Sequence, residues 1–156
     1  MIVYHTSIIE VTKPDILHSR SNLDFGRGFY VTKLREQALK YADRFKLRHQ
    51  NAVLNLYELS DNWLNANVKR FECYDEEWLD FIIANRKGLP VTQYDIVEGG
   101  VANDKIFRTL EFYFNGDITK SDALKQLRYE KINHQICLLS QRSIDLYLMF
   151  KSSEAL

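Results

Sequence analysis

Cysteine and proline are both scarce, with two of each in 156 residues. Cys73 and Cys137 lie far apart, so no pair has metal-ligand spacing and there is no disulfide framework. The fold must rest on its core, and a chain of this length can bury roughly two-thirds of its unfolded surface without a staple. An excess of charge is also missing. Twenty-one basic residues balance twenty-one acidic ones, which removes the basic footprint of a dedicated nucleic-acid binder. The local run Lys40, Arg44, Lys46, Arg48 reads as a solvated helix face. No stretch of eighteen apolar residues suggests a membrane span. Met-Ile-Val-Tyr-His at the start carries neither the basic segment nor the apolar run of a signal peptide, so the expected location is cytoplasmic and reducing. Repeats, low-complexity tracts and Pro/Gly/Ser-rich linkers are absent, and residues 1–156 read as one domain.

Apolar and aromatic residues are plentiful. A hydrophobic content of 46% against 27% charged excludes a disordered chain. Nine Tyr, nine Phe and two Trp suit a large core, and also a stacking slot for a flat ligand.

The pattern predicts a short strand at Ile2–His5, a turn or short helix from Pro14 to His18, and a glycine-punctuated loop running into a strand at Phe29–Thr32. Ala38, Tyr41, Ala42 and Phe45 form one apolar helical stripe. Strands are expected at Asn51–Leu59, Val68–Phe71 and Tyr94–Glu98, the last ended by Gly99-Gly100. Asp75 reads as the N-cap of a helix reaching Arg86. Helices at Asn103–Asn115 and Ser121–Arg128 flank Gly116. His134–Leu139 and Leu146–Phe150 complete the strands, with a helical turn near Ser143. Strands and helices do not alternate as in a doubly wound sheet, so the expected class is α+β, with mixed or antiparallel β-sheets and peripheral helices.

The strongest local signal is Asp24-Phe-Gly-Arg-Gly-Phe-Tyr30. Its two glycines allow a tight turn and a close approach of backbone to a ligand. Neither a phosphate-binding Gly-Lys-Ser/Thr nor a dinucleotide glycine fingerprint is present. His5 ends the first strand and can donate and accept hydrogen bonds at once. Tyr41 follows Tyr30 by eleven residues, on the next helix, so that two aromatic faces can form a slot for a heterocycle.

Tyr-His-Thr-Ser7 followed by Gly-Arg-Gly-Phe-Tyr-Val-Thr32 resembles the ADP-ribosyltransferases of the histidine–tyrosine–glutamate class, the group of diphtheria toxin and the poly-ADP-ribose polymerases. The whole chain is similar to a family of small bacterial proteins of this fold that are linked to toxin–antitoxin-like gene pairs. The resemblance implies an ADP-ribosyltransferase-like α+β domain using NAD, with no metal. His5 would hold the adenine-side ribose, and backbone groups near Thr6 the nicotinamide amide. Tyr30 and Tyr41 would sandwich the nicotinamide ring. Arg20 and Arg27 would meet the pyrophosphate, as guanidinium groups pair well with phosphate oxygens. Gln135 stands where the class carries its catalytic glutamate. A neutral amide can bond the ribose hydroxyl but supplies only a dipole to the positive charge of bond cleavage. Thr6 replaces the usual glycine after the histidine, and Ala38 replaces a serine that binds the amide. Asp24, Asp95 and Glu98 are candidate substitutes for the missing carboxylate.

The implied activity is transfer of ADP-ribose from NAD to a macromolecule by an intracellular toxin with a cognate antitoxin protein as partner. The alternatives are a catalytically weak NAD- or partner-binding module, and an NAD glycohydrolase. Outside the resemblance stands a metal-free ribonuclease using His5 and His134 as acid and base.

Overall fold

In the computed structural model, which describes residues 1–89 and 93–156, the chain is α+β. Two small sheets pack face to face, with helices on their outer sides. The first sheet contains β1 (Ile2–Ser7), β3 (Val53–Leu59) and β7 (Leu148–Ala155), in the order β1-β3-β7 and antiparallel throughout. The second runs β2-β6-β5-β4, from β2 (Phe29–Val31), β6 (Gln135–Leu138), β5 (Ile96–Gly99) and β4 (Val68–Arg70). Its β4–β5 pair is parallel and the others are antiparallel.

Alternation along the strands creates two cores. Val3, Tyr57 and Leu59 of the first sheet meet Phe29, Val31, Ile96, Ile136 and Leu138 of the second, with Trp63 and Ile144 closing the layer. The outer side of the second sheet presents Val97 and Cys137. It is covered by α2 (Glu76–Arg86), α3 (Asp104–Phe114) and α4 (Lys120–Leu127) through Trp78, Leu79, Ile82, Ile106, Leu110 and Leu127.

Helix starts follow local chemistry. Asp75 accepts from Trp78 N at 2.9 Å, and Asn103 accepts from Lys105 N and Ile106 N, which satisfies first-turn N–H groups. Thr119 with Asp122 forms a capping box for α4, and Ser140 with Ser143 does the same for α5 (Gln141–Tyr147). α1 (Arg35–Lys46) has no side-chain cap, but carries Glu36 in its first turn and Arg44 and Lys46 in its last, matching the helix dipole.

The structure corrects the sequence reading at three places. Tyr41 does not join a buried stripe. Ala38 and Ala42 alone bury that side of α1, and Tyr41 is 47% exposed. The strand expected to end at Glu98 includes Gly99, which pairs with Gln135. β7 continues to Ala155, although apolar patterning stops at Phe150. The open edge of β3 offers backbone partners as far as Val53↔Ala155, and edge pairing needs no apolar side chain.

Candidate functional site

The two sheets touch at a seam. Tyr4 and Thr32 exchange both backbone bonds, at 2.8 and 2.9 Å, and beyond this bridge β1 and β2 part. Directly opposed residues of an antiparallel pair share a face. Tyr4 and Thr6 therefore lie on the same side as Thr32 and Tyr30. Cα register across β2, β6 and β5 adds Cys137, Gln135 and Gly99 to that side. α1 sits there too, since Thr6 Oγ1 donates to Ala38 O at 2.7 Å. Tyr41, Tyr30 and Gln135 thus belong to elements on one continuous side of the molecule.

Where the strands part, backbone groups are left over. Tyr4 turns its N–H and C=O toward β2, and Thr6, two residues on, must do the same. Among the described residues those Thr6 groups have no partner. In a continued ladder they would meet Tyr30; instead His5 Nδ1 lies 2.8 Å from Tyr30 O. A carbonyl only accepts, so Nδ1 carries the hydrogen and Nε2 keeps its lone pair. Burial pushes the His5 pKa down, with the Tyr30 carbonyl working against it, which favours the neutral ring. The ring also lies on Phe29, centroids 4.5 Å apart.

Gln135 contributes a second unpaired group. The residue is 8% exposed, and its Nε2 is a buried donor with no partner among the described residues. A buried unsatisfied polar group is uncommon and calls for a cause, such as an absent ligand. Gly99 is its cross-strand neighbour, and the Phe71 and Phe25 side chains fill the space a side chain at Gly99 would take.

Tyr30 is less available. Its hydroxyl donates to Gly26 O at 2.5 Å and accepts from Phe25 N at 3.1 Å, closing its own loop. Burial drives its pKa far above the ordinary phenol value. Tyr41 packs edge-on against Phe45 with the Arg44 guanidinium over its ring. The two tyrosine rings are not in mutual contact.

The glycine loop serves packing first. Gly26 has φ +92°, which favours glycine. Gly28 approaches β6, not open space: a Cβ there would stand 2.5 Å from Cys137 Sγ and Leu138 O. Asp24 receives both Nε and a terminal nitrogen of Arg86, at 3.0 and 2.7 Å, so it is paired with that guanidinium. Arg27 Nε donates to Ser19 O at 3.2 Å, and Arg20 is exposed. Asp95 accepts from Asn67 N at 3.2 Å.

Sequence reasoning missed the cluster at the end of the second sheet. Glu98 accepts from His134 Nε2 and Arg70 Nε, each at 2.9 Å, with Lys33 Nζ at 4.0 Å. Lys33 N donates to His134 Nδ1 at 3.3 Å, which makes Nε2 the protonated nitrogen. Both ring nitrogens are engaged, and His134 is not poised as the acid or base of a ribonuclease. The cluster borders an open cleft of about 490 Å³ that Trp63, Leu64 and Ile132 also line. No sequence signal joined Lys33, Arg70, Glu98 and His134, each of which stands at or just beyond a different strand end.

The bond from His134 is the chief reason the Glu98 carboxyl lies below the ordinary glutamate range; burial opposes it, and the charges of Arg70 and Lys33 add to it. A depressed carboxylate pKa adds stability above the unfolded value of about 4.3, and this is lost as pH falls through the folded value. Glu98→Gln is therefore expected to flatten the acid limb of a melting-temperature profile below about pH 5. An unchanged limb would show that the pairs do not couple to folding.

Among the described residues, no group of three His, Cys, Asp or Glu side chains is placed to hold a metal ion, and no helix is long and apolar enough to cross a membrane. No curated protein and no solved structure matches the chain. A family model does match, described as a protein of unknown function (DUF3990) and covering residues 1–150, and the chain belongs to that family.

Proposed function

We propose that this chain is an NAD-binding domain of the ADP-ribosyltransferase type, acting in the bacterial cytoplasm as a toxin that transfers ADP-ribose to a macromolecule and is held in check by an antitoxin protein. One observation carries the reading: β1 leaves the Thr6 backbone unpaired where it parts from β2, and β6 leaves the Gln135 amide nitrogen unpaired. The free N–H and C=O of Thr6 form a donor–acceptor pair, the complement of a carboxamide such as that of nicotinamide. His5 Nε2 can accept from a ribose hydroxyl. Gln135 Nε2 can donate to the oxygen of another. Tyr41 is exposed enough to stack on a pyridine ring, and Tyr30 is the second ring proposed for the slot. Arg20 and the terminal nitrogens of Arg27 are the candidates for the pyrophosphate, beside the glycine loop.

In the reaction, the nicotinamide–ribose bond breaks and positive charge grows on the ribose. Thr6 and the two tyrosines would hold the leaving group, while His5 and Gln135 fix the sugars. The Gln135 amide offers a dipole where a carboxylate would offer full charge, which favours slow turnover. That same residue supports the second reading, a module that binds NAD or a partner without efficient transfer.

Calorimetric titration with NAD tests the binding claim, and Tyr41→Ala is the clean probe of stacking. Tyr41 is exposed and makes no hydrogen bond among those described, so its loss should leave stability within about 0.5 kcal/mol while weakening NAD binding. Equal affinity would remove Tyr41 from the site. Gln135→Glu should raise NAD hydrolysis by roughly two powers of ten, the usual value of one preorganised group. Labelled NAD incubated with a cell lysate then separates transfer from hydrolysis: label on a macromolecule supports a transferase, and free ADP-ribose alone supports a glycohydrolase. A wild-type protein that gives no heat with NAD at millimolar concentration rejects the reading.

A further inference from the structure

Gln37, in the first turn of α1, makes a two-sided contact with the main chain of His134, the residue directly before β6. Its Nε2 donates to His134 O at 2.6 Å, and its Oε1 accepts from His134 N at 3.0 Å. The named register between β2 and β6 stops at Val31↔Ile136. A primary amide has the donor and acceptor of a peptide group, so the Gln37 side chain supplies the bonds a neighbouring strand would have made.

We propose that Gln37 is the positioning residue of the proposed NAD site, fixing Gln135 relative to Thr6 and Tyr41. The inference rests on the NAD-binding reading and deepens it. Three observations support it. Gln37 and Tyr41 are four residues apart on α1 and so share a helix face. Gln37 is one residue before Ala38, whose carbonyl holds Thr6, so one helical turn ties β1 to the start of β6. His134 is held at its backbone by Gln37 and at its ring by Lys33 N and Glu98, directly before Gln135. A buried amide donor that could turn a little would find a carbonyl. Gln135 Nε2 finds none, which fits a strand start held both by its pairing with Gly99 and by the Gln37 clamp on His134. Docking of α1 does not itself need this clamp, because Thr6 with Ala38 and the Arg35–Glu154 pair at 2.7 Å remain.

The test compares Gln37→Met, which keeps the length and removes both bonds, with Ile144→Val, a truncation in the inner core on α5. Three quantities are read: the dissociation constant for NAD, the melting temperature, and the side-chain amide resonances of Gln135 in the absence of NAD. Gln37→Met should weaken NAD binding about tenfold or more and shift the Gln135 resonances. Ile144→Val should do neither at an equal or lower melting temperature. If the wild type binds NAD and Gln37→Met binds it equally, or weakens only in step with the control, the proposal is overturned and the NAD reading stands. If the wild type does not bind NAD, the NAD reading fails; the Gln135 resonances then decide alone, and unmoved resonances overturn the positioning role.

Discussion

Gly28→Ala is expected to leave the domain unfolded or barely folded, with a loss of about 3 kcal/mol or more. The added Cβ would lie 2.5 Å from the Leu138 carbonyl oxygen and from Cys137 Sγ. Neither can retreat easily. Leu138 is in register with Phe29 in the β2–β6 ladder, and Cys137 is fully buried in the helix-side core. Overpacking usually costs about 1–3 kcal/mol, and a clash with a strand backbone belongs at the upper end because the strand must move as a unit. Gly116→Ala is the control. It has φ +79° but no atom within 4 Å of its Cβ, so it should cost only about 1–2 kcal/mol of backbone strain. Urea midpoints for the two variants decide the matter. A loss at Gly28 no greater than at Gly116 would mean that β2 and β6 are not packed this closely, and the register that sets Tyr30 opposite Cys137 would fall with it.

Gln135→Met is expected to separate stability from binding. The side chains are similar in length, and the change removes a buried amide whose nitrogen has no partner. Leaving a buried donor unpaired costs about 1–3 kcal/mol, so the apolar variant should be as stable as the wild type or more so. If the proposed NAD site is right, NAD binding should fall, because the donor proposed for the ribose is gone. Active sites are where local rules of satisfaction are broken, and repairing the break gains stability at the expense of function. Thermal melts and NAD titrations on one preparation measure both. A variant that binds NAD as well as the wild type would detach Gln135 from the ribose. One that loses stability would show that the amide is satisfied in the folded protein.

Much of the architecture could be read along the chain. Every strand expected from apolar patterning is present, within a few residues at each end apart from the long extension of β7. Asp75 caps its helix as its position before Glu76-Glu77-Trp78 implied, because capping is settled by atoms three residues apart. The span from Asp24 to Tyr30 was legible as a special segment, but its purpose was not. Two glycines say that a side chain is excluded, without saying whether a ligand or another strand excludes it. Gly28 faces Cys137, more than a hundred residues away.

The candidate site divides in the same way. His5, Tyr30, Tyr41 and Gln135 were nameable from types and spacings, and from the resemblance those spacings carry. The pairing of His5 with Tyr30 O, the unpaired backbone of Thr6 and the clamp from Gln37 to His134 were not. Each depends on which strands lie side by side, and on where a ladder stops.

Composition and periodicity by themselves determined that this is an α+β domain with an aromatic core and the spacing of its helices and strands. These are short-range matters, fixed by backbone sterics and by burying apolar side chains at periods of two and 3.6. Tertiary structure alone decided which polar groups were left unsatisfied. Hydrogen bonding is a closed count over the whole molecule, and a donor is known to lack a partner only when every neighbour has been placed.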